Sequence, residues 1–482
     1  MRTAAAIFPY LAFDPRSRVP FYKQIYDGYR EAILAGRLRR GQRLPSTRAL
    51  AAELKISRLP VLNAFEQLLH EGYLEGKAGA GTFVRDSIPD ELSKPLVVKD
   101  GRTKVRRIAA AAFVSEGIGP FRVSLPALDR FPREIWGRLV ARHGKRLPIE
   151  LMAYGDPAGH APLREAIASY VRAARAVNCE AAQVLIVSGS QMALQLCALA
   201  LLKPGDSVFI EDPGYPGARD ALQVSGAKVI PVQVDSEGID VARIASQRKR
   251  ARVAYVTPSH QYPLGVSMTA SRRLELLDWA RRTQSWILED DYDSEYRYAS
   301  RPLGALQGMD TSDRVIYIGT FSKVLFPALR VGYMIIPPDL VGSFVRLRES
   351  LDIFSPTLYQ LVLTDFLNEG HFARHLRRMR SVYHGRRDAM VHSLEKHLGS
   401  TLEPYNTDAG LHLSGFLPRG IEDREVVRRA AQAGVVATAL SSCYAGEHRR
   451  SGLILGFGGA SERRIQAAAS MLARVIESLR SR

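Results

Sequence analysis

The sequence predicts a multidomain protein in which a small, mainly α N-terminal unit precedes a large α/β unit. Three observations carry that expectation. The chain has 482 residues, 46% of them hydrophobic, which is long for one domain and ample for two or three buried cores. Residues 1–86 show three helical apolar periods followed by two short strand-like runs. Beyond residue 113, strand-like apolar runs alternate with helical stretches, the pattern of a mainly parallel sheet covered by helices.

In the first unit, Phe21, Ile25, Tyr29 and Ile33 recur at helical spacing, and Gly36 ends the run. Leu44-Pro45-Ser46 opens a short second helix carrying Leu50 and Leu54, and the turn Lys55-Ile56 leads to Ser57, a natural N-cap for a third. That third helix bears one apolar stripe, Val61, Leu62, Phe65, Leu68 and Leu69, and stops at Gly72. Two short helices joined by a tight turn make a helix-turn-helix, whose second helix places its first residues in a major groove. Tyr73-Leu-Glu and Thr82-Phe-Val then read as two strands around Gly76–Gly81, a wing. Residues 1–110 hold twenty Lys/Arg against eleven Asp/Glu, so half of the net charge of +18 lies there. Such a surface neutralises phosphates, although a solvated basic face has the same composition.

The stretches Leu44-Pro-Ser-Thr-Arg48-Ala-Leu-Ala, Ser57-Arg58, Glu71-Gly-Tyr-Leu and Gly79-Ala-Gly-Thr-Phe-Val84 resemble the winged-helix domain of the GntR family of bacterial transcription regulators. The resemblance implies double-stranded promoter DNA as partner, contacts from Arg48, Ser57 and Arg58, and a wing tip of Lys77, Gly79 and Gly81 near the minor groove. Pro60 departs from it, standing where the family usually has threonine. A proline is tolerated in a first helical turn but removes a hydroxyl and an N–H. Residues 87–112, polar and containing Pro89, Pro95 and a basic cluster from Lys99 to Arg107, read as a linker. This makes 1–86 the winged helix and 113–482 the large unit.

In the large unit the strand-like runs are Val184–Val187, Val208–Ile210, Val229–Val232, Val253–Val256, Trp286–Leu288 and Val315–Ile318. Lys323 follows the last of them within Gly319-Thr-Phe-Ser-Lys323, and Arg330 comes seven residues later. A lysine just past a strand end can form a Schiff base with an aldehyde while the arginine holds a phosphate. Ser188-Gly189-Ser190-Gln191 joins a strand to an apolar helix, whose first N–H groups suit a phosphate. Tyr215, in Glu211-Asp-Pro-Gly-Tyr215-Pro, offers a face for a planar ring, and Glu289-Asp290-Asp291-Tyr292 ends a strand with carboxylates. Each alone has a bland reading, as a surface lysine, an ordinary turn or a solvated acidic turn.

Together, in this order, they resemble the fold-type-I aminotransferases that use pyridoxal 5′-phosphate (PLP), over roughly residues 115–480. The resemblance implies that Lys323 is the Schiff-base lysine and that Asp290, or with one residue of slip Asp291, partners the pyridine nitrogen. It implies that Tyr292 donates to the ring's phenolic oxygen, that Tyr215 stacks on the ring, and that Ser190, Gln191, Ser322 and Arg330 bind the phosphate. Tyr154, in Tyr154-Gly-Asp-Pro-Ala-Gly, matches a tyrosine that reaches the neighbouring subunit's site, which implies a homodimer. Two departures stand out. Tyr262-Pro-Leu-Gly replaces the usual Asn-Pro-Thr-Gly, and Ile454-Leu-Gly-Phe lacks the arginine that grips a substrate carboxylate.

A GntR-like winged helix joined to an aminotransferase-like domain is the architecture of the MocR subfamily. That resemblance implies a PLP-dependent transcription regulator, a domain-swapped dimer in which an amine, an amino acid or PLP itself is the effector; an active aminotransferase is the alternative. The three cysteines, Cys179, Cys197 and Cys443, show no metal-ligand spacing, so neither a disulfide framework nor a metal site is expected. With no apolar run near the roughly 20 residues needed to cross a bilayer, and no signal-peptide core, the expected location is the cytoplasm.

Overall fold

The computed structural model describes residues 13–87, 119–246, 250–298, 304–405, 408–446 and 449–480. Two compact units part within residues 88–118. The expected linker therefore lies, but for Ser87, outside the described residues.

In the first unit, helices α1 (Phe21–Leu34), α2 (Thr47–Leu54) and α3 (Arg58–His70) precede an antiparallel hairpin of β1 (Leu74–Lys77) and β2 (Gly81–Val84). Ile25, Tyr29, Ile33, Leu50, Leu54, Val61, Phe65, Leu68, Leu74 and Val84 form one buried cluster. At about 1.5–3 kcal/mol per large apolar side chain, this cluster is what holds three short helices together. Ser46 caps α2 by accepting from the Ala49 N–H at 3.2 Å. Ser57 is the N-cap residue of α3, as expected, in extended conformation, but its side chain makes no cap bond. Pro60 sits in the first turn and α3 runs on unbroken, because a first-turn N–H has no intrahelical partner to lose. The wing strands reach further than expected, leaving residues 78–80 as the turn.

The large unit is built on an eight-stranded sheet. Its strands are β3 (Val184–Val187), β4 (Ser207–Asp212), β5 (Lys228–Asp235), β6 (Gly238–Ile239), β7 (Ala251–Val256), β8 (Trp286–Asp291), β9 (Val315–Thr320) and β10 (Gly332–Ile335). They lie in the order β3-β10-β9-β8-β7-β4-β5-β6. The pairs β9-β8, β8-β7, β7-β4 and β4-β5 are parallel, whereas β10 is antiparallel to both β3 and β9, and the short β6 returns antiparallel to β5. Strands β3, β4, β8, β9 and β10 are buried throughout, since helices cover both faces of such a sheet. A second sheet of four short strands, β11 (Glu403–Tyr405), β12 (His412–Phe416), β13 (Thr438–Ala439) and β14 (Gly452–Gly456), follows a 28-residue helix, His371–Leu398.

The carboxylates of β8 are part of the strand, not a turn after it. Successive residues of a strand face opposite sides, and Asp291 turns to a buried network. Its Oδ2 accepts from Arg175 Nε at 2.8 Å and from the Tyr317 hydroxyl at 2.6 Å. Arg175 also donates to Ser259 Oγ at 2.7 Å. Asp291→Ala strips this carboxylate from a guanidinium that is 2% exposed, and should destabilise the large unit by about 3–5 kcal/mol in chemical denaturation.

Candidate functional site

A cavity opens at the carboxyl edge of the parallel strands, the place where open α/β sheets hold ligands. Tyr215 comes from the loop after β4, Tyr262 from the loop after β7, Tyr292 from the residue after β8, and Lys323 from the loop after β9. Ser190 starts the helix Ser190–Leu201 that follows β3, and Asp290 and Tyr255 reach in from the strands themselves.

Lys323 is partly buried, and its Nζ donates to the Ser124 carbonyl at 3.3 Å. Burial pulls its pKa down to about 8, against the opposing pull of Asp293 and Asp290. Asp290 accepts from the Tyr255 hydroxyl at 2.9 Å through Oδ2, while Oδ1 is buried without a partner. Burial pushes the Asp290 carboxyl up to about 7, with Tyr255 opposing and Asp291 adding to the rise. A buried acceptor left unpaired is costly, and an N–H on a bound aromatic ring is what this one lacks. Asp290 thus lines the cavity and Asp291 does not.

Of the residues expected to hold a phosphate, Ser190 is the one that lines the cavity. Gly189 has φ +96°, and a Cβ built on it would stand 3.2 Å from Arg330 Nη1, so glycine there lets the guanidinium cross the helix start. Arg330 also donates to the Ser188 carbonyl. The first amides of the helix, at Ser190 and Gln191, have no intrahelical acceptor and are free for an anion. The Gln191 side chain, however, donates to the Gly217 carbonyl at 2.9 Å, so its amide serves the fold. Ser322 is buried, its N–H bonded to Thr320 Oγ1 at 3.2 Å.

Tyr215 and Tyr262 meet edge to face with centroids 5.7 Å apart. Tyr154 is 82% exposed, edge-on to Phe354, and is absent from the lining of its own chain's cavity. Sequence reasoning missed Ser124, Tyr255, His260 and Asp293. The period-2 pattern of β7 could have flagged Tyr255, since its hydroxyl lies in a strand otherwise apolar on that face. At the place of the missing arginine, Ile454 is fully buried in an apolar cluster with Leu264, Val266, Leu440 and Cys443. Arg449 and Arg450 line a different cavity with Tyr405 and Tyr444, Arg450 lying 3.5 Å from the centroid of the Phe416 ring.

In the winged helix, Arg48, Ser57 and Arg58 are exposed. Arg58 Nε donates to Thr47 Oγ1 at 3.0 Å, tying the start of α3 to that of α2. Leu59, beside it, is 63% exposed, an apolar side chain that sequence reasoning passed over. Lys77 pairs with Glu75 at 3.0 Å and lies 5.1 Å from the Phe83 ring centroid, while Gly79 and Gly81 at the wing turn have φ +71° and +110°.

Residues 21–84 match the family of bacterial regulatory proteins, gntR family, and residues 145–475 match aminotransferase class I and II. The probable rhizopine catabolism regulatory protein MocR of Rhizobium meliloti is 40% identical, over 93% of this chain and 92% of its own length. The HTH-type pyridoxine biosynthesis transcriptional regulator PdxR of Corynebacterium glutamicum is 32% identical, over 94% of this chain and 95% of its own. Among solved structures, the α-aminoadipate aminotransferase LysN of Thermus thermophilus, complexed with N-(5′-phosphopyridoxyl)-L-leucine, superposes with TM-score 0.71 at 28% identity. It covers 75% of this chain and 92% of LysN.

Proposed function

Because the chain belongs to the MocR group of GntR-type transcription regulators, we propose that occupancy of the Lys323 cavity governs how its winged helix holds promoter DNA. The protein is a DNA-binding regulator and its cofactor is pyridoxal 5′-phosphate. When bound, the cofactor supplies an aldehyde and an electron-accepting ring. Lys323 would hold the aldehyde, Asp290 the ring nitrogen, Tyr215 a ring face, and Arg330 with the helix start at Ser190 the phosphate. The observation that carries this reading is the unpaired Oδ1 of Asp290 in a cavity shared with a lysine whose charge is suppressed by burial.

The effector class is a primary amine, an amino acid or the cofactor itself. Named relatives concern rhizopine catabolism and pyridoxine biosynthesis, so neither role transfers by similarity alone. Sensing, in preference to turnover, is supported by the apolar packing of Ile454 where an enzyme would grip a carboxylate. The exposed Ile149, Met152 and Tyr154 support a homodimer in which Tyr154 meets the cavity of a second copy. A domain-swapped arrangement in the cytoplasm completes the reading; none of the helices among the described residues is long and apolar enough to cross a membrane.

At the DNA, exposed Arg58 and Leu59 open α3, one suited to a base edge and the other to a thymine methyl group. Arg58→Ala should weaken promoter binding by about 1–3 kcal/mol in mobility-shift titrations at fixed salt. Equal affinity of the parent protein for promoter and random DNA would overturn the proposal.

A further inference from the structure

His260 and Asp293 form a pair against Tyr292, beside the cofactor cavity, that has no part in the function proposed above. His260 and Asp293 are almost wholly buried. His260 Nδ1 lies 3.0 Å from Asp293 Oδ1 and 3.0 Å from the Tyr292 hydroxyl. Asp293 Oδ2 accepts from the Leu411 N–H at 3.2 Å. Gly410, at φ +75°, is the place where this pair is accommodated: a Cβ there would collide with the His260 ring and come within 2.7 Å of Asp293 Oδ2.

The donor and acceptor inventory then fixes where protons go. A carboxylate beside Nδ1 can only accept, so Nδ1 carries the hydrogen. The opposite tautomer would put an N–H on Nε2, which is buried without a partner, and an orphaned buried donor is rarer than an under-satisfied acceptor. A protonated Nδ1 cannot accept from Tyr292, so its one hydrogen is shared between Asp293 Oδ1 and the tyrosine oxygen, and the tyrosine keeps its own proton to donate. Tyr292 lines the cavity, and the cavity is where that proton can be used. Asp290, Asp293, Glu211 and Tyr262 face Tyr292, and the His412 ring faces His260 at 5.0 Å between centroids.

We infer that His260 and Asp293 are positioning residues that turn the Tyr292 O–H toward the ring oxygen of the bound cofactor. This rests on the assignment of the cavity to pyridoxal phosphate. The pair thereby sets how readily a proton is kept between that oxygen and the nitrogen contributed by Lys323. A hydrogen bond to the oxygen draws off its negative charge; losing the bond moves the protonation midpoint up.

The test is a pH titration of the visible absorption of the cofactor-loaded protein, with thermal unfolding as a check on each variant. Tyr292→Phe should raise the midpoint by about one pH unit, the size of shift expected from one hydrogen bond to a charged group. His260→Leu should raise it in the same direction. His260→Asn should restore the parent midpoint, because its amide nitrogen stands as many bonds from Cα as Nδ1. Asp293→Asn gives a second variant without a void at His260: with the carboxylate gone, Nδ1 is free to accept, Tyr292 spends its proton there, and the midpoint again rises. When Tyr292→Phe is already present, adding His260→Leu should shift nothing further. An unshifted midpoint in His260→Leu alone, or a full second shift in the double variant, overturns the inference while the cofactor assignment stands. A parent protein that takes up no cofactor overturns both.

Discussion

Lys323→Ala is expected to abolish the absorption band that arises from the bond between the lysine and pyridoxal 5′-phosphate. The parent protein should show that band, and the variant only the spectrum of the free cofactor, retained weakly through its phosphate. The expectation follows from the local chemistry of the lysine. Burial among Ser124, Tyr215 and Tyr292 brings its pKa to about 8, so at neutral pH about one molecule in ten carries a free amine, against fewer than about one in a thousand for an ordinary lysine. The rate of colour formation should therefore climb about tenfold per pH unit below about pH 8 and level off above it. An ordinary lysine would keep climbing to about pH 10. An unchanged spectrum in the variant would place the cofactor on another lysine.

Sustained transamination is expected to be negligible. Common amino acids offered with a keto-acid acceptor should give turnover well below about 1 per second, the low end for enzymes. A transaminase must hold the substrate's carboxylate so that the bond to be broken is aligned with the ring, and a misplacement of about 1 Å can cost about a hundredfold. Here that position holds Ile454, fully buried among Leu264, Val266 and Leu440. Arg449 and Arg450, the nearest replacements in sequence, line another cavity. Keto-acid production at enzymatic rates would identify the protein as an aminotransferase and retire the sensor reading. Altered DNA affinity on adding an amine, without turnover, would support it.

Much of this architecture was legible from apolar periodicity. The six strand-like runs fall on β3, β4, β5, β7, β8 and β9, every strand of the large sheet but β10 and the two-residue β6. The three helices of the first unit fall where the spacing of Ile25, Tyr29, Leu50, Leu54, Val61 and Phe65 put them. What escaped was what periodicity does not encode. Strands β11 and β13 have three and two residues, too short to carry a pattern. The antiparallel β10 was hidden because Gly332–Ile335 follows the Lys323 loop so closely that it reads as its continuation. At the site, the residues placed beside the cavity by their strand, Lys323, Asp290, Tyr215 and Tyr292, were all nameable in advance. Gln191 was not separable from Ser190 by sequence, since its side chain is diverted by a carbonyl 26 residues away. Nor could spacing reveal that Gly410 makes room for His260, far earlier in the chain, because that is a property of folded space.

The cavity draws its walls from the ends of separate strands, with Ser190 after β3, Tyr215 after β4, Tyr262 after β7, Tyr292 after β8 and Lys323 after β9. A molecule bridging those ends acts as a clasp across the sheet, and a clasp changes how long a protein lasts. Binding to the folded chain alone at about a hundred times the dissociation constant adds about 2.7 kcal/mol to its stability. Proteases that capture transiently opened chains would then meet about a hundredfold fewer of them. A cell short of the cofactor would then hold less of this protein, because the unclasped chain opens and is degraded more often.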